Sequence, residues 1–298
     1  MTTETFAPRS TCPSQLDSLE SELTECWDAI FQEIDSGELE LPLMPRNAQE
    51  VICLANDQNA DLADLAAVIQ RDQDLAGQVL RFANSATFDS GQTVSSLQQA
   101  ASRLGVEFIA NAALAITLKS DFFRIPELET VATDIWKHAL ASAFYGREIA
   151  CVKRCNVECQ YLCGLLHTIG KPVGLKLLSS MKKRGQITLP TDDLVRLSEA
   201  AHSQIGTRLA QNWGLPKQVI YVCQWYQSPG LAEEFQDETA MTYLSDLLAR
   251  QVLNPDRVDE EALLADGVFE QLNLCPDEVA ELFERGAEVG TMVNSMNP

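Results

Sequence analysis

The sequence lacks the features that direct a chain into a membrane or an oxidising compartment. No stretch approaches the roughly 18 consecutive apolar residues that a membrane span needs. The amino terminus, MTTETFAPRSTCPSQ, has neither the basic start nor the apolar segment of a signal peptide. The nine cysteines are odd in number and form no CxxC pair. These absences predict a cytoplasmic protein that does not interact with a membrane.

Basic residues are scarce at both ends of the chain. Residues 1–43 carry ten acidic side chains and one basic side chain, and residues 231–298 carry sixteen and three. Residues 44–230 carry 17 acidic and 18 basic side chains, so the net charge of −21 comes from the two flanks. Such flanks repel a polyanion and argue against nucleic-acid binding. They are either a solvated surface or a docking site for a basic partner, and the sequence leaves both open.

The sequence also lacks any alternating strand pattern of useful length, whereas apolar residues recur at steps of three and four throughout. Helices are predicted at about residues 46–56, after Asp61, from Asp74 and after Ser96. The stretch VEFIANAALAITLKSDFF is apolar on nearly all sides and is predicted to be a buried central helix. The predicted fold class is therefore all-α. An acidic amphipathic helix is also expected at the amino terminus, with the apolar positions Leu16, Leu19, Leu23, Trp27, Ile30 and Ile34.

Glycine, proline and charge divide the chain into three predicted parts. Residues 1–40 are the acidic amino-terminal helix, and residues 41–230 are the main domain. Pro126 separates a first sub-domain, residues 41–125, from a second, residues 126–230. Residues 231–298 are acidic helices, the first of which is a candidate to complete the second sub-domain's bundle. Two short helices are predicted after it.

Four cysteines recur at every fourth residue in CVKRCNVECQYLC. On one continuous helix, Cys151, Cys155, Cys159 and Cys163 would lie on a slowly drifting face, so an iron–sulfur or zinc site is conceivable. Asn156, however, is typical of a break and cap between two helices. Buried cysteine is also an ordinary small hydrophobic residue, and the structural interpretation is favoured.

Histidine is rare, and its three occurrences lie on predicted helices in the second half of the chain. They are His138, His167 and His202. A lone histidine on a helix is usually a packing group, but three of them together with Asp246 on a later helix have the composition of a metal site.

These residues also carry a resemblance. His138, GLLHTIG and Asp246 match in order the H…HD…D pattern of the HD-superfamily phosphohydrolases. The upstream half resembles the HDOD domain, the non-catalytic relative of that superfamily. The matching segments, which cover residues 41 to about 230, are LPLMP, VIQRDQDLAGQVLRFANSATF, SSLQQAASRLGVEFIANAAL, GLLHTIGK and HSQIGTRLAQNWGLP. The resemblance implies a multi-helix HD-like bundle packed against a second, amino-terminal helical sub-domain.

The resemblance also implies which positions would form the metal site and what has changed there. In active HD enzymes the aspartate of the His-Asp doublet can bridge two ions, and here Thr168 takes its place. A neutral hydroxyl is a weak ligand, so a pair of ions about 3.5–4 Å apart is not expected. His202 matches a ligand position of cyclic-dinucleotide phosphodiesterase relatives, but their further His-His pair falls near VCQWYQSP, which has no histidine. His138, His167, Thr168, Asp246 and His202 are thus interpreted as vestigial positions with no cofactor. A single divalent ion on His138, His167 and Asp246 remains the alternative.

The preferred hypothesis is a non-enzymatic signalling or regulatory module of a bacterial cytoplasm. It would bind a signalling protein partner, or a small ligand such as a nucleotide. The binding surface would be either the acidic flanks or a cleft between the sub-domains that contains Asn84, Ser85 and Lys171. The simpler interpretation of Asn84 and Ser85 is a helix cap and a loop turn. The rivals are a residual metal-dependent phosphohydrolase acting on a nucleotide or cyclic dinucleotide, and a sensor that binds such a nucleotide without cleaving it.

Overall fold

The computed structural model describes residues 40–55, 61–85, 88 and 92–296, together with residues 23, 27, 28, 31, 32 and 34. Regular structure within these ranges is helical, and no strand occurs among them. The all-α prediction is confirmed. It follows from an apolar period of three to four residues, which only a helix can turn toward one core.

The first sub-domain is built from five helices. These are α1 (Arg46–Ala55), α2 (Leu62–Gln70), α3 (Gln73–Ala83), α4 (Leu97–Leu104) and α5 (Val106–Phe122). The Asp61 carboxylate accepts hydrogen bonds from the first turn of α2, and Ser96 does the same for α4, as predicted. Helix α3 begins one residue before the predicted Asp74, because Asp72 is the residue that caps it. Gly105, with φ at +92°, ends α4, and glycine adopts this backbone conformation readily.

Helix α5 is the centre of the first sub-domain. An uninterrupted run from Phe108 to Leu118 is buried on all faces, which confirms the predicted central helix. Helices α1 to α4 pack around α5, and its remaining contacts reach the second half of the chain. The apolar circumference of α5 therefore joins the two sub-domains.

The second half of the chain forms a bundle. Its helices are α6 (Glu129–Lys153), α7 (Val157–Leu166), α8 (Gly170–Lys183), α9 (Thr191–Asn212), α10 (Lys217–Trp225) and α11 (Gln236–Leu253). Helix α6 packs most extensively on α7 and α11, and α9 packs on α8 and α10. Asn156 caps α7 through its side chain, which confirms the predicted break in the cysteine series.

Two glycines allow the closest helix contacts in this bundle. A Cβ atom at Gly164 would lie 2.5 Å from the carbonyl oxygen of Ser142, and one at Gly170 would lie 1.9 Å from that of His202. Both distances are below any van der Waals contact, so α7 meets α6, and α8 meets α9, backbone to backbone. The turn of residues 167–169 lies between these two contacts and is therefore held in a narrow range of positions.

Residues 260–295 form four short helices, so the prediction of two was wrong. They are α12 (Glu260–Leu264), α13 (Val268–Gln271), α14 (Pro276–Glu284) and α15 (Gly286–Ser295). Asn273 adopts a left-handed conformation with φ at +50°, and Pro276 starts a new helix shortly after it. Helix α15 packs on α6 and α11, where its Val289 and Val293 are buried.

Most of the predicted amino-terminal helix, including Leu16, Leu19 and Ile30, lies outside the described residues. The six described positions are helical, and Leu23 and Trp27 among them are buried. The Trp27 indole donates a hydrogen bond to Gln204 on α9 at 3.4 Å, and the Arg208 guanidinium lies over the Phe31 ring at 3.9 Å. This segment therefore docks on α9.

None of the described helices is long and apolar enough to cross a membrane on its own. Helices α4 and α5 meet that measure of length and composition only as a pair, across a bend of 116°.

Candidate metal centre

Three side chains from three helices converge in the second bundle. His138 lies in the middle of α6, His167 directly follows α7, and Asp246 lies on α11. Nε2 of His138 is 2.7 Å from Oδ1 of Asp246, and Nε2 of His167 is 3.3 Å from the same oxygen. The candidate ligand atoms of the three residues all lie within 4.8 Å of one another. The packing of α6 on α7 and α11 thus brings together the predicted donors.

The His167 ring is oriented by the backbone. Its Nδ1 donates to the carbonyl oxygen of Gly164 at 2.7 Å, so Nε2 carries the lone pair in the neutral ring and faces Asp246. Burial lowers the pKa of His167, although Asp246 opposes that shift. A neutral histidine with its second nitrogen bonded to a carbonyl is the form that binds metals. This residue therefore fits a metal site.

Both oxygens of Asp246 are engaged within the protein. Oδ1 faces the two histidines, and Oδ2 lies 2.6 Å from a guanidinium nitrogen of Arg250, one turn further along α11. Burial alone would raise the pKa of Asp246, but the charge and hydrogen bond of His138 and the charge of Arg250 hold it well below its usual range. Asp246 is therefore ionised, and an arginine cation already occupies one of its oxygens. Sequence reasoning missed Arg250, although its spacing of four residues from Asp246 on a predicted helix was a usable signal.

Thr168 supplies no charge to this set. Its side chain is fully buried in the turn between α7 and α8, and its hydroxyl has no hydrogen-bond partner among the described residues. A carboxylate at this position would be a second anionic ligand beside Asp246. The hydroxyl present is neutral and binds divalent ions weakly.

The donor set fits a centre of one metal ion and does not fit a centre of two. His138, His167 and Asp246 are the two imidazoles and one carboxylate that can hold a single divalent ion. Such an ion would polarise a phosphoryl oxygen or lower the pKa of a bound water. A pair of ions does not fit, because Asp246 is the one carboxylate in this cluster and Arg250 competes for its second oxygen.

His202 belongs to a neighbouring hydrogen-bonded group. Its Nδ1 donates to the carbonyl oxygen of Glu199, and its Nε2 accepts from the Tyr226 hydroxyl at 2.8 Å. Burial lowers the pKa of His202 to about 3. The Tyr226 ring meets the His167 ring edge-on, with 4.6 Å between the ring centroids. His202 is thus neutral, bonded on both nitrogens, and linked to His167 through a tyrosine ring.

The three predicted cleft residues are found in two places. Asn84 follows α3, where its amide donates to the carbonyl oxygens of Leu80 and Val94 and accepts from the Val94 amide. The Ser85 hydroxyl is buried and has no partner among the described residues. Lys171 lies at the start of α8, with Nζ 3.8 Å from a carboxylate oxygen of Glu199. The described hydrogen bonds and ion pairs do not link Asn84 or Ser85 to Lys171, and those of Asn84 fix a loop.

Comparison with known proteins places these features in a family. The HDOD domain profile matches residues 41–229 of this chain. A "Putative metal-dependent phosphohydrolase" from Shewanella amazonensis SB2B superposes with a TM-score of 0.68 at 16% identity, covering 93% of this chain and 100% of that one. An HDOD domain protein with unknown function from Geobacter sulfurreducens superposes with a TM-score of 0.69 at 20% identity, covering 91% and 98%. These likenesses show the fold.

Two further relatives extend the comparison. A "Putative signal transduction protein" from Marinobacter aquaeolei VT8 superposes with a TM-score of 0.63 at 25% identity, covering 87% of this chain and 60% of that one. An uncharacterized protein of Treponema pallidum (strain Nichols) is 23% identical over 228 residues. That match takes in 73% of this chain but 43% of the Treponema protein, so the chain spans less than half of this relative. The profile match extends over more than half of the chain and ends just before the helix that carries Asp246. The chain belongs to the HDOD domain family.

Proposed function

We propose that this chain is a non-enzymatic signalling or regulatory module that acts by binding. The proposal rests on one observation above others, which is the buried Thr168 hydroxyl at the position where a hydrolase of this fold needs a carboxylate; this hydroxyl has no hydrogen-bond partner within the described part of the chain. The scaffold around the position is intact, because the neighbouring donors converge to within 4.8 Å. The change at this position therefore removes a group that would provide negative charge.

The charge balance explains why this single position has such weight. Two divalent ions bring four positive charges, and the cluster of described donors offers one carboxylate against them. The Arg250 guanidinium adds a further positive charge at 2.6 Å from that carboxylate. Repulsion between charges in a buried site is poorly screened. Two metal ions would therefore have to displace Arg250, and they would still lack an anionic group to bridge them.

The neighbouring tyrosine supports the same conclusion. Tyr226 places an uncharged ring against His167 and holds His202 through its hydroxyl. Burial raises the pKa of Tyr226 well above its usual range, so the hydroxyl stays protonated and does not act as an anionic ligand. His202 is in this way kept in a structural hydrogen bond.

A protein partner is the favoured binding target. The Marinobacter relative carries a signal-transduction name, and the acidic flanks of this chain are suited to a basic protein surface and unsuited to a nucleic acid. Binding of a nucleotide without cleavage is the second form of the proposal. The competing function is metal-dependent phosphohydrolysis, and the convergence of His138, His167 and Asp246 is the observation that favours it.

The absence of catalysis is tested with a panel of phosphomonoesters, nucleotides and cyclic dinucleotides in the presence of Mn²⁺ or Fe²⁺. We expect the wild type and His167→Ala to give the same background rate, since no competent metal pair is lost in the variant. Metal-dependent turnover by the wild type that disappears in His167→Ala would overturn the proposal.

Binding is tested by affinity capture from the native cell with the whole chain as bait. An unrelated protein of similar negative charge serves as control, because a net charge of −21 alone would recover basic proteins. A protein recovered by this chain and absent from the control supports the module. A thermal-shift screen against nucleotides tests the second form, since a ligand that binds only the folded state raises the Tm. If neither experiment detects a ligand, the proposal that the chain acts by binding is contradicted.

A further inference from the structure

A cavity between the two sub-domains contains a carboxyl group that the proposed function does not use. Its volume is about 250 Å³. Helices α1 and α5 of the first sub-domain line one side, and the first half of α7 and the start of α10 line the other. Aliphatic side chains, among them Val51, Leu114 and Leu162, form part of the wall. Glu158 is the one carboxyl group among the described residues that line this cavity.

The Glu158 carboxylate is held in place by a buried amide. The Asn111 side chain, which is 8% exposed, donates to Oε2 of Glu158 at 2.7 Å. The Asn111 backbone carbonyl in turn accepts from the Tyr161 hydroxyl at 3.3 Å. Within the described part of the chain, Glu158 has no other hydrogen bond and no ion pair. Its second oxygen, Oε1, remains accessible to solvent and is available to a ligand.

No cation from the described residues pairs with Glu158. The described residues that line the cavity include no lysine, arginine or histidine. The Arg147 guanidinium of α6 is bonded to Glu148 at 3.3 Å and lies over the Phe108 ring at 5.4 Å. Burial raises the pKa of Glu158, and the hydrogen bond from Asn111 opposes that shift. Because a half-buried carboxylate without a cation is costly, a cationic ligand in the cavity would gain free energy from pairing with it.

The accessible oxygen and the walls indicate the kind of ligand. A guanidinium binds a carboxylate best through both oxygens, and Asn111 already occupies Oε2. An ammonium group needs one oxygen and has further donors, and the Gln218 side chain shares the cavity. The aliphatic walls suit an apolar body. The volume of about 250 Å³ lies below the roughly 300–1,000 Å³ of pockets for drug-sized molecules, so the ligand must be compact.

From the accessible carboxylate oxygen and the apolar walls, we propose that this cavity binds a compact primary amine in its ammonium form. The ammonium group donates to Oε1 of Glu158, and the apolar part of the molecule lies against Leu114 and Leu162. Glu158 and His167 lie at opposite ends of α7, so this site is separate from the candidate metal centre. The proposal therefore does not depend on whether the metal centre is catalytic.

A ligand in this cavity would connect the two sub-domains. Asn111 and Leu114 belong to α5, whereas Glu158 and Leu162 belong to α7. Helices α5 and α7 pack against each other beside the cavity. An amine that contacts both helices binds the folded arrangement and raises the Tm. Binding would thus stabilise one arrangement of the sub-domains, which is what a ligand-controlled signalling module requires.

The test is isothermal titration calorimetry of the whole chain with phenethylamine at about pH 8, where both Glu158 and the amine are charged. Two probes with a similar apolar body serve as controls, namely the neutral phenethyl alcohol and the anionic hydrocinnamate. We expect one phenethylamine per chain, with both controls binding more weakly by about tenfold or more. Equal binding of the alcohol, or no binding of the amine, would overturn the proposal.

Two variants test the role of Glu158. Glu158→Gln keeps an oxygen acceptor for Asn111 and removes the charge, so the affinity for phenethylamine should fall by about tenfold. Glu107→Gln is the matched control, because Glu107 is exposed, does not line the cavity and carries the same charge. Its affinity should stay within about twofold of the wild type. An undiminished affinity in Glu158→Gln, or an equal loss in both variants, would refute Glu158 as the anchor.

A thiol locates the ligand without any variant. Cys159 lines the cavity, whereas Cys53 and Cys275 are exposed elsewhere. Alkylation by iodoacetamide, quantified by mass spectrometry, should slow at Cys159 when phenethylamine is bound and stay unchanged at the other two. Binding without protection of Cys159 would place the amine outside the cavity and would contradict the proposal. Such a failure is distinguishable from failure of the proposed function, which is measured by turnover and by affinity capture.

Discussion

The strongest quantitative prediction concerns His202 and acid stability. Its pKa is lowered from the ordinary histidine value of 6.5 to about 3 in the folded protein. Below about pH 6.5 the unfolded chain takes up a proton at this residue and the folded chain does not, so the folded state loses stability as the pH falls. At pH 5 the solution is about 1.5 pH units below the pKa of this histidine in the unfolded chain. The free energy of unfolding is therefore lower by about 2 kcal/mol than at neutral pH, from this one group.

The perturbation is His202→Gln, which keeps an acceptor within reach of the Tyr226 hydroxyl and removes the titrating ring. Urea unfolding is followed by tryptophan fluorescence near pH 7.5 and near pH 5, and the free energy of unfolding is compared at each pH. The wild type should lose about 2 kcal/mol more than the variant between the two conditions. Other titrating groups contribute to both proteins and cancel in the difference. Equal losses would show that His202 is not held neutral and would refute the assigned hydrogen bonds.

Three further substitutions follow from the packing. Gly164→Ala should destabilise the chain by about 3 kcal/mol, because its Cβ would lie 2.5 Å from the Ser142 carbonyl oxygen; Gly267→Ala, with open space at its Cβ, is the control for thermal unfolding. Asn84→Ala should cost about 2 kcal/mol through its lost bonds to the loop backbone, and an unchanged Tm would favour a free recognition role. Thr168→Asp should lower the Tm without metal and raise it in Mn²⁺, and a Tm insensitive to Mn²⁺ would contradict the assigned role of position 168.

Much of the fold could be predicted because local residue types determine where helices end and which of their faces are buried. Asp61 and Ser96 cap helices as their side chains require, and Asn156 separates two helices that the cysteine spacing alone would have joined. The helix boundaries of the carboxyl-terminal segment, residues 260–295, were predicted less well. There the break between α13 and α14 contains Asn273 in a left-handed conformation, which the periodicity of apolar residues does not show.

The site was predictable in its members and less so in its interactions. His138, His167 and Asp246 were found because a metal site has a recognisable composition, and the structure brings them together. The Arg250 cation on Asp246 and the Tyr226 hydroxyl on His202 depend on side-chain directions that arise only when the helices pack. Asn84 was a candidate recognition residue, and its three backbone hydrogen bonds reveal the loop that it fixes.

The central claim is that this site has lost the capacity to hold two metal ions. The number of Mn²⁺ ions bound per wild-type chain tests it most directly. The measurement is isothermal titration calorimetry, with elemental analysis of the protein after gel filtration as a check on stoichiometry. We predict at most one weakly bound ion per chain, held by His138, His167 and Asp246. Two tightly bound ions per chain, both lost in His167→Ala, would contradict the account.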